Sequence, residues 1–363
     1  PGSAIPLNEL ASGLSAGTYY HWRLRVASSS PFFPHSSWFS PPYNGATETD
    51  LRTAGFEVQP LFGPKTDFAT ATSPRAVAIG DFNGDGRPDL AAADSSDDKV
   101  SVLLGKGNGT FGAKTDYATG GLPTSVAIGD FNDDGRRDLA VTNLGGNTVS
   151  VLLGVGNGTF GPKADFGTGV QPISVATGDF DGDGELDLAV ANLSSTTVSI
   201  LLGNGSGSFG AKSDFATGSS PSSVAIGDFN GDAKLDLAVA NRTSNTISVL
   251  LGDGLGSFSL ASSPATGTSP SSVAIGDLNG NGIPDLVAAN YGSNTVSVLL
   301  GNGDGTFGSK SDFGTGVLPY SVAVADFDGD GKRDLAVANA GSNTMSALVG
   351  NGAGPFGTKP DFG

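Results

Sequence analysis

The chain has 363 residues, including 57 glycines and no cysteine, and a formal net charge of −17. Such a charge excludes a nucleic-acid partner, which needs a basic face to displace counterions, and argues against an anionic membrane surface. Without cysteine there are no disulfides, no thiolate nucleophile and no cysteine-based zinc site. No apolar run approaches the ~20 residues of a membrane helix, so no membrane insertion is expected, and no signal peptide is visible.

In chain order, residues 1–54 come first and hold both His (His21, His35) and both Trp (Trp22, Trp38). Leu14 to Val26 alternates as a strand does after a turn, and further strand-like runs occur at 36–40 and 47–53. The run Thr18-Tyr19-Tyr20-His21-Trp22-Arg23-Leu24-Arg25-Val26 resembles a late strand of a fibronectin type III domain. A sandwich of that kind needs roughly 90–100 residues, so this is read as a partial β-sandwich segment with open strand edges. Three explanations stay open: the rest was cut away, the segment packs on the remainder of the chain, or another chain completes it by strand complementation.

Residues 55–363 form the second expected domain. A glycine-rich chain could be disordered, but here short alternating apolar blocks recur between turn residues, as in Ser125-Val-Ala-Ile-Gly129 and Thr148-Val-Ser-Val-Leu-Leu153. An acidic loop opens at Asp81, Asp130, Asp179, Asp228, Asp277 and Asp326, at a constant interval of 49 residues. A period of that size, filled with four short β runs, predicts propeller blades. The fold class is therefore all-β: a β-propeller of four-stranded blades encoded by six repeats. Leu61 to Phe68 copies the outer strand of a blade ahead of the first full repeat. That spare strand favours seven blade positions over six, with six still open.

Phe-Gly at the outer strand, followed by Asp-x-Asn-x-Asp-Gly-x-x-Asp between the first two strands, resembles the FG-GAP repeat of integrin α-subunit propellers. It is also similar to the VCBS repeats of large bacterial surface proteins. The resemblance covers roughly residues 56–363 and implies an extracellular, secreted or cell-surface protein.

Each loop offers oxygen ligands at positions 1, 3, 5 and 9, with glycine at position 6. Hard oxygen donors in that number suit Ca²⁺ far better than Zn²⁺ or Cu²⁺, and better than Mg²⁺, which demands a tighter octahedron. The candidate ligands of the first loop are Asp81, Asn83, Asp85 and Asp89. The second loop has Asp130, Asn132, Asp134 and Asp138, with Asp133 as an extra carboxylate. The third has Asp179, Asp181, Asp183 and Asp187, and the sixth Asp326, Asp328, Asp330 and Asp334, so these two carry the most charge. The fourth has Asp228, Asn230, Asp232 and Asp236, with Ala233 where the turn wants glycine. The fifth has Asp277, Asn279, Asn281 and Asp285 and lacks the position-5 carboxylate. Up to six ions are expected, weakest at the loops beginning Asp228 and Asp277, and six would bring the charge from −17 to about −5.

The repeated Phe111, Phe160, Phe209, Phe258 and Phe307 are expected to pack between blades. Phe82, Phe131, Phe180, Phe229 and Phe327 are expected to shield the loops from the core. Sequons occur at Asn108, Asn157, Asn192, Asn204 and Asn241. With no nucleophile elbow, phosphate loop or zinc motif, the chain is read as not an enzyme. The expected role is a binding or adhesion module for an extracellular protein or glycan, with calcium stapling the loops. The alternative is a self-assembling filament subunit joined through the N-terminal segment, and a lectin or an accessory domain of a polysaccharide-active enzyme ranks below both. Tyr117, Tyr291 and Tyr320 are the few aromatic candidates for a sugar platform.

Overall fold

In the computed structural model, the described residues are 66–354, 356–357 and 361–362. The fibronectin-like reading of residues 1–54 and the proposed domain boundary at 54/55 lie outside them.

The described residues form six four-stranded antiparallel sheets and no helix. Numbered in chain order, the 24 strands fall four to a blade. In blade 1 these are β1 (Pro74–Gly80), β2 (Asp89–Asp94), β3 (Lys99–Leu103) and β4 (Thr115–Ala118), hydrogen-bonded in that order. The inner strands of the later blades are β5 (Pro123–Gly129), β9 (Pro172–Gly178), β13 (Pro221–Gly227), β17 (Pro270–Gly276) and β21 (Pro319–Ala325). Each inner strand packs on that of the next blade, from β1 on β5 through to β17 on β21. The structure thus has the six blades of the 49-residue repeat.

Each inner strand opens with proline, preceded by a residue at positive φ: Ser73, Leu122, Gln171, Ser220, Ser269 and Leu318 lie at 54–61°. A register shift follows between that proline and the strand, as at Pro74/Ala76 and Pro123/Ser125. Proline costs nothing there, because the shift removes the ladder hydrogen bond it could not donate. The second and third strands read as nearly continuous Leu, Ala and Val because both of their faces are covered.

The core is divided between blades. Phe82, Ala91, Ala93, Val100 and Val102 of blade 1 pack against Leu139, Val141, Leu152 and Phe160 of blade 2. The same arrangement recurs at each following boundary, giving five inter-blade cores. Leu139, Leu188, Leu237, Leu286 and Leu335 are fully buried there, each contributing roughly 1.5–3 kcal/mol. The two repeated phenylalanine sets meet across the boundary: Phe82 and Phe160 lie edge-to-face at 5.5 Å, Phe131 and Phe209 at 5.6 Å. Phe82, Phe131, Phe180 and Phe229 therefore do more than shield a loop; each is one half of an aromatic contact between blades.

A buried polar network also joins the blades. Asn143 donates through Nδ2 to Ser150 Oγ at 2.8 Å and accepts the Gly120 N–H of the preceding blade at 3.0 Å. Ser150 in turn donates to Asp165 Oδ1 at 2.6 Å. A Cβ on Gly120 would lie 2.7 Å from the Asn143 side chain, so that position needs glycine. Sequence reasoning missed this set, although Asn, Ser and Gly recur at the same repeat positions in blades 2 to 6. In blade 1 the pair is Ala71 and Asp94, and both Asp94 carboxylate oxygens are buried without a hydrogen-bond partner.

Candidate metal loops

The six loops connect the first and second strands of the blades, and the chain coils about its first carboxylate. Asp81 Oδ1 accepts N–H bonds from Gly84 and Asp85 at 2.8 and 3.2 Å, and its Oδ2 accepts from Gly86 at 2.8 Å. Asn83 Oδ1 accepts from Asp85 N–H at 3.0 Å, and Asp85 Oδ1 from Arg87 N–H at 2.9 Å. Glycine at position 6 is required by backbone shape: Gly86, Gly135, Gly184, Gly282 and Gly331 all have φ between 78° and 93°. Ala233 is forced to the same conformation, at φ 63°.

Position 9 behaves differently from the other three. Asp89, Asp138, Asp187, Asp236, Asp285 and Asp334 are buried at 0–1% exposure. Each accepts two backbone N–H groups, one per carboxylate oxygen. For Asp138 these are Phe131 N–H at 2.8 Å and Gly154 N–H at 2.6 Å. For Asp187 they are Phe180 at 2.7 Å and Gly203 at 2.7 Å, and the other four blades repeat the pattern. This carboxylate ties the acidic loop to the end of the third strand, a role that ligand spacing alone did not reveal. Its invariance in the six repeats therefore has a structural cause besides any metal.

Burial raises the carboxyls of Asp138, Asp236 and Asp285, against the pull of their two backbone N–H donors. Asp187 is pushed up to about 6, first by burial and then by the nearby charges of Asp181 and Asp183, against the same kind of donors. Asp181 is also raised, by burial and by the charges of Asp183 and Asp179. Asp81 and Asp330 shift the other way: backbone N–H bonds lower both, with the Lys332 side chain adding to the pull on Asp330.

Two loops bring three carboxylates together. Oxygens of Asp179, Asp181 and Asp187 lie within 4.8 Å of one another, and so do those of Asp326, Asp328 and Asp334. That spread matches the width of a calcium coordination shell, whose ligands stand 2.3–2.6 Å from the ion. In the other four loops position 3 is Asn83, Asn132, Asn230 or Asn279, which offers a neutral oxygen instead.

Other candidates are resolved by burial. Asn192 and Asn241 are fully buried and bonded to Ser199 and Ser248, so those two sequons are structural positions and not glycan acceptors. Asn108 and Asn157 cap their own turns, each accepting the side chain two residues on at 2.6 Å. Tyr117 is an inter-blade residue, edge-on to Phe160 at 5.4 Å with its hydroxyl buried, and is unavailable as a surface platform. Tyr291 and Tyr320 lie 6.4 Å apart, and the Arg242 guanidinium sits 4.9 Å above the Tyr291 ring.

A propeller of tandem repeats with an acidic loop between the first two strands of each blade defines the class. The chain belongs to the FG-GAP-like repeat family, whose model matches residues 81–141, 130–190, 179–239, 228–288 and 277–337. No curated protein matches it. Among solved structures it is similar to a protein from Lactobacillus plantarum, at TM-score 0.64 and 16% identity over 81% of this chain and 86% of that one. It is similar to a candidate 6-phosphogluconolactonase from Bacteroides uniformis, at TM-score 0.63 and 19% identity over 80% of this chain and 85% of that one. It is also similar to virginiamycin B lyase from Staphylococcus aureus, at TM-score 0.54 and 14% identity over 80% of this chain and 84% of that one. At these identities the likeness is one of fold. It corrects the expectation that the chain is not an enzyme: propellers of this shape include proteins named as enzymes, so architecture gives no ground for excluding catalysis. No helix among the described residues is long and apolar enough to cross a membrane.

Proposed function

We propose that this chain is an extracellular binding or assembly module whose acidic loops hold calcium. The observation that carries the calcium reading is the convergence of three carboxylates within 4.8 Å in the third and sixth loops. Asp179, Asp181, Asp183 and Asp187 would hold one ion, and Asp326, Asp328, Asp330 and Asp334 another. The first, second, fourth and fifth loops offer the same backbone coil with fewer charges. A bound ion would offset the mutual repulsion of these carboxylates and fasten the first strand of a blade to the second.

The binding reading is supported by a break in symmetry. Arg242, Tyr291 and Tyr320 belong to three successive blades, while the repeat-equivalent residues include Leu144, Leu193, Thr124 and Ile173. Arg242 and Tyr291 follow the second strands of their blades, and Tyr320 lies at the start of β21. These ends of the strands are opposite to the acidic loops. An aromatic pair with a stacked guanidinium suits a glycan or an extended peptide.

The deciding experiment is scanning calorimetry of the full chain in calcium and in excess chelator. A melting temperature several degrees higher in calcium, with magnesium a poor substitute, is expected. Identical traces would sink the calcium reading.

A further inference from the structure

At the ends of the strands away from the acidic loops the blades carry almost no charge. From Thr119 to Asn343, the connections from each outer strand to the next inner strand and the turns between second and third strands hold one charged residue, Arg242, and no Asp or Glu. In a chain of net charge −17 such a face admits an anion that the rest of the surface repels. The seven-residue inner strand β13 spans about 20 Å, more than two Debye lengths at physiological salt, so the acidic loops are screened from Arg242.

Arg242 has unused donors for such an anion. Its guanidinium is half-buried, sits 4.9 Å over the Tyr291 ring, and has neither a carboxylate partner nor a hydrogen-bond acceptor among the described residues. Arg136, by contrast, faces Asp134 at 3.5 Å, Lys332 faces Asp330 at 3.1 Å, and Lys114, Lys163, Lys212 and Lys310 each face an aspartate of their own outer strand. The backbone under the pair is fixed: the Arg242 N–H donates to the Ser220 carbonyl at 2.9 Å and the Tyr291 N–H to that of Ser269 at 3.0 Å. Five N–H donors held beside an aromatic ring without an acceptor suit a carboxylate, which a guanidinium fork can bind with two parallel bonds.

The surroundings choose between the carriers of that carboxylate. Val170 and Val317 are 51% and 48% exposed in their connections, whereas the two connections between them have Ser219 and Thr268 at the same repeat position. Thr243, Ser244 and Ser293 are exposed on the turns of blades 4 and 5, so this sector of the face is rich in hydroxyls. Its backbone donors are already engaged: Ser219 N–H by Ser244 Oγ at 2.8 Å, Thr268 N–H by Ser293 Oγ at 3.1 Å, and Ser269 N–H by Asn245 Oδ1 at 2.7 Å. An extended peptide, which draws affinity from main-chain hydrogen bonds, finds these donors taken. A sugar offers hydroxyls to hydroxyls and a C–H face to an aromatic ring.

We propose that Arg242 and Tyr291 bind a sugar ring that carries a carboxylate, as uronic and sialic acids do. This rests on the reading of the patch as a recognition site and narrows it to one ligand class. The carboxylate accepts from the Arg242 fork, and the sugar hydroxyls exchange hydrogen bonds with Ser219, Thr243 and Thr268. Tyr320, 38% exposed and 6.4 Å from Tyr291, covers the apolar side of the sugar. The repeat equivalents of Arg242 are Ser95, Leu144, Leu193, Tyr291 and Ala340, so the described blades hold one such site.

The test is calorimetric titration of the full chain in calcium with tri-galacturonic acid, a hyaluronan tetrasaccharide and sialyllactose, each beside its methyl ester. The esters keep the sugar and remove the charge. At least one acid should bind roughly tenfold or more tightly than its ester, as the gain of a charge-assisted hydrogen bond requires, and the arm that does so tells a uronic from a sialic acid. Arg242→Gln should bring that acid down to the affinity of its ester, and Tyr291→Ala should weaken both, with the melting temperature unchanged in each variant. Equal binding of acid and ester would overturn the proposal and leave a neutral glycan as the ligand. A preference that survives Arg242→Gln would overturn it too, since calcium in the acidic loops would then be holding the carboxylate. No saccharide binding, with Arg242-dependent binding of an oligoglutamate peptide, would overturn it in favour of a peptide ligand. If no probe binds, the proposal falls together with the recognition reading of this patch.

Discussion

Asp138 and Gly154 are sixteen residues apart, and a carboxylate oxygen of the first accepts the backbone N–H of the second at 2.6 Å. The other oxygen accepts from Phe131, so one buried side chain holds both the start of the acidic loop and the exit of the third strand. Asp138→Ala leaves two buried N–H groups without acceptors, at a cost of about 2–5 kcal/mol. Urea denaturation should show that loss in calcium and in chelator alike. A loss confined to calcium would mean that Asp138 acts only as a ligand.

The remaining ligand positions are half-buried or exposed loop residues, so their variants separate metal from fold better than those of position 9. Asp181→Ala and Asp328→Ala each remove one of three converging carboxylates and should abolish the two tightest sites in a calcium titration. Stability in chelator should change by less than about 1 kcal/mol, as for other surface substitutions. The loops beginning Asp228 and Asp277 should fill last.

Ala233 at φ 63° stores strain that glycine avoids. A Cβ at the equivalent Gly86 and Gly135 meets nothing within 4 Å, so the strain is conformational and not a clash. Ala233→Gly should stabilise the chain by about 0.5–1 kcal/mol, after the entropy glycine restores to the unfolded state. It should also tighten calcium at the fourth loop, and Gly135→Ala should do the reverse at the second.

Proton linkage gives a further check. The Asp187 carboxyl rises from 3.8 to about 6 on folding, with Asp138, Asp236 and Asp285 shifted the same way. Groups raised on folding contribute stability that is complete below their unfolded values and lost as pH climbs through the folded ones. In chelator, stability on this account should fall as pH rises from about 4 to about 7. Calcium needs the ionised carboxylates, so the gap between calcium and chelator curves should widen over the same range. Parallel curves would show that these acids do not face the ion.

For the recognition surface, Tyr291→Ala and Arg242→Ala should lower retention on a glycan or peptide array. Neither should shift the calcium-dependent melting temperature, because both residues lie at the strand ends away from the acidic loops. Unchanged retention would remove this patch from consideration.

The blades were legible in the sequence because a propeller repeats one local problem. Four short strands, a proline-led inner strand and an acidic turn at positions such as 81–89 recur every 49 residues, and each copy satisfies its own ladder hydrogen bonds. Period, strand type and the coil of the loop come from residues close in sequence. Charge count along the chain likewise singled out the third and sixth loops, where three carboxylates converge.

What only the tertiary structure decided lies between segments distant in the chain. The bond from Asp138 to Gly154 depends on how the second and third strands of one blade pair, and the edge-to-face contact of Phe82 with Phe160 and the burial of Asn192 depend on how one blade seats on the next. The same holds for the exposure of Val77 and Ala338. Repeats with nearly the same sequence differ there in exposure, because burial belongs to the neighbour a residue meets and not to the residue itself.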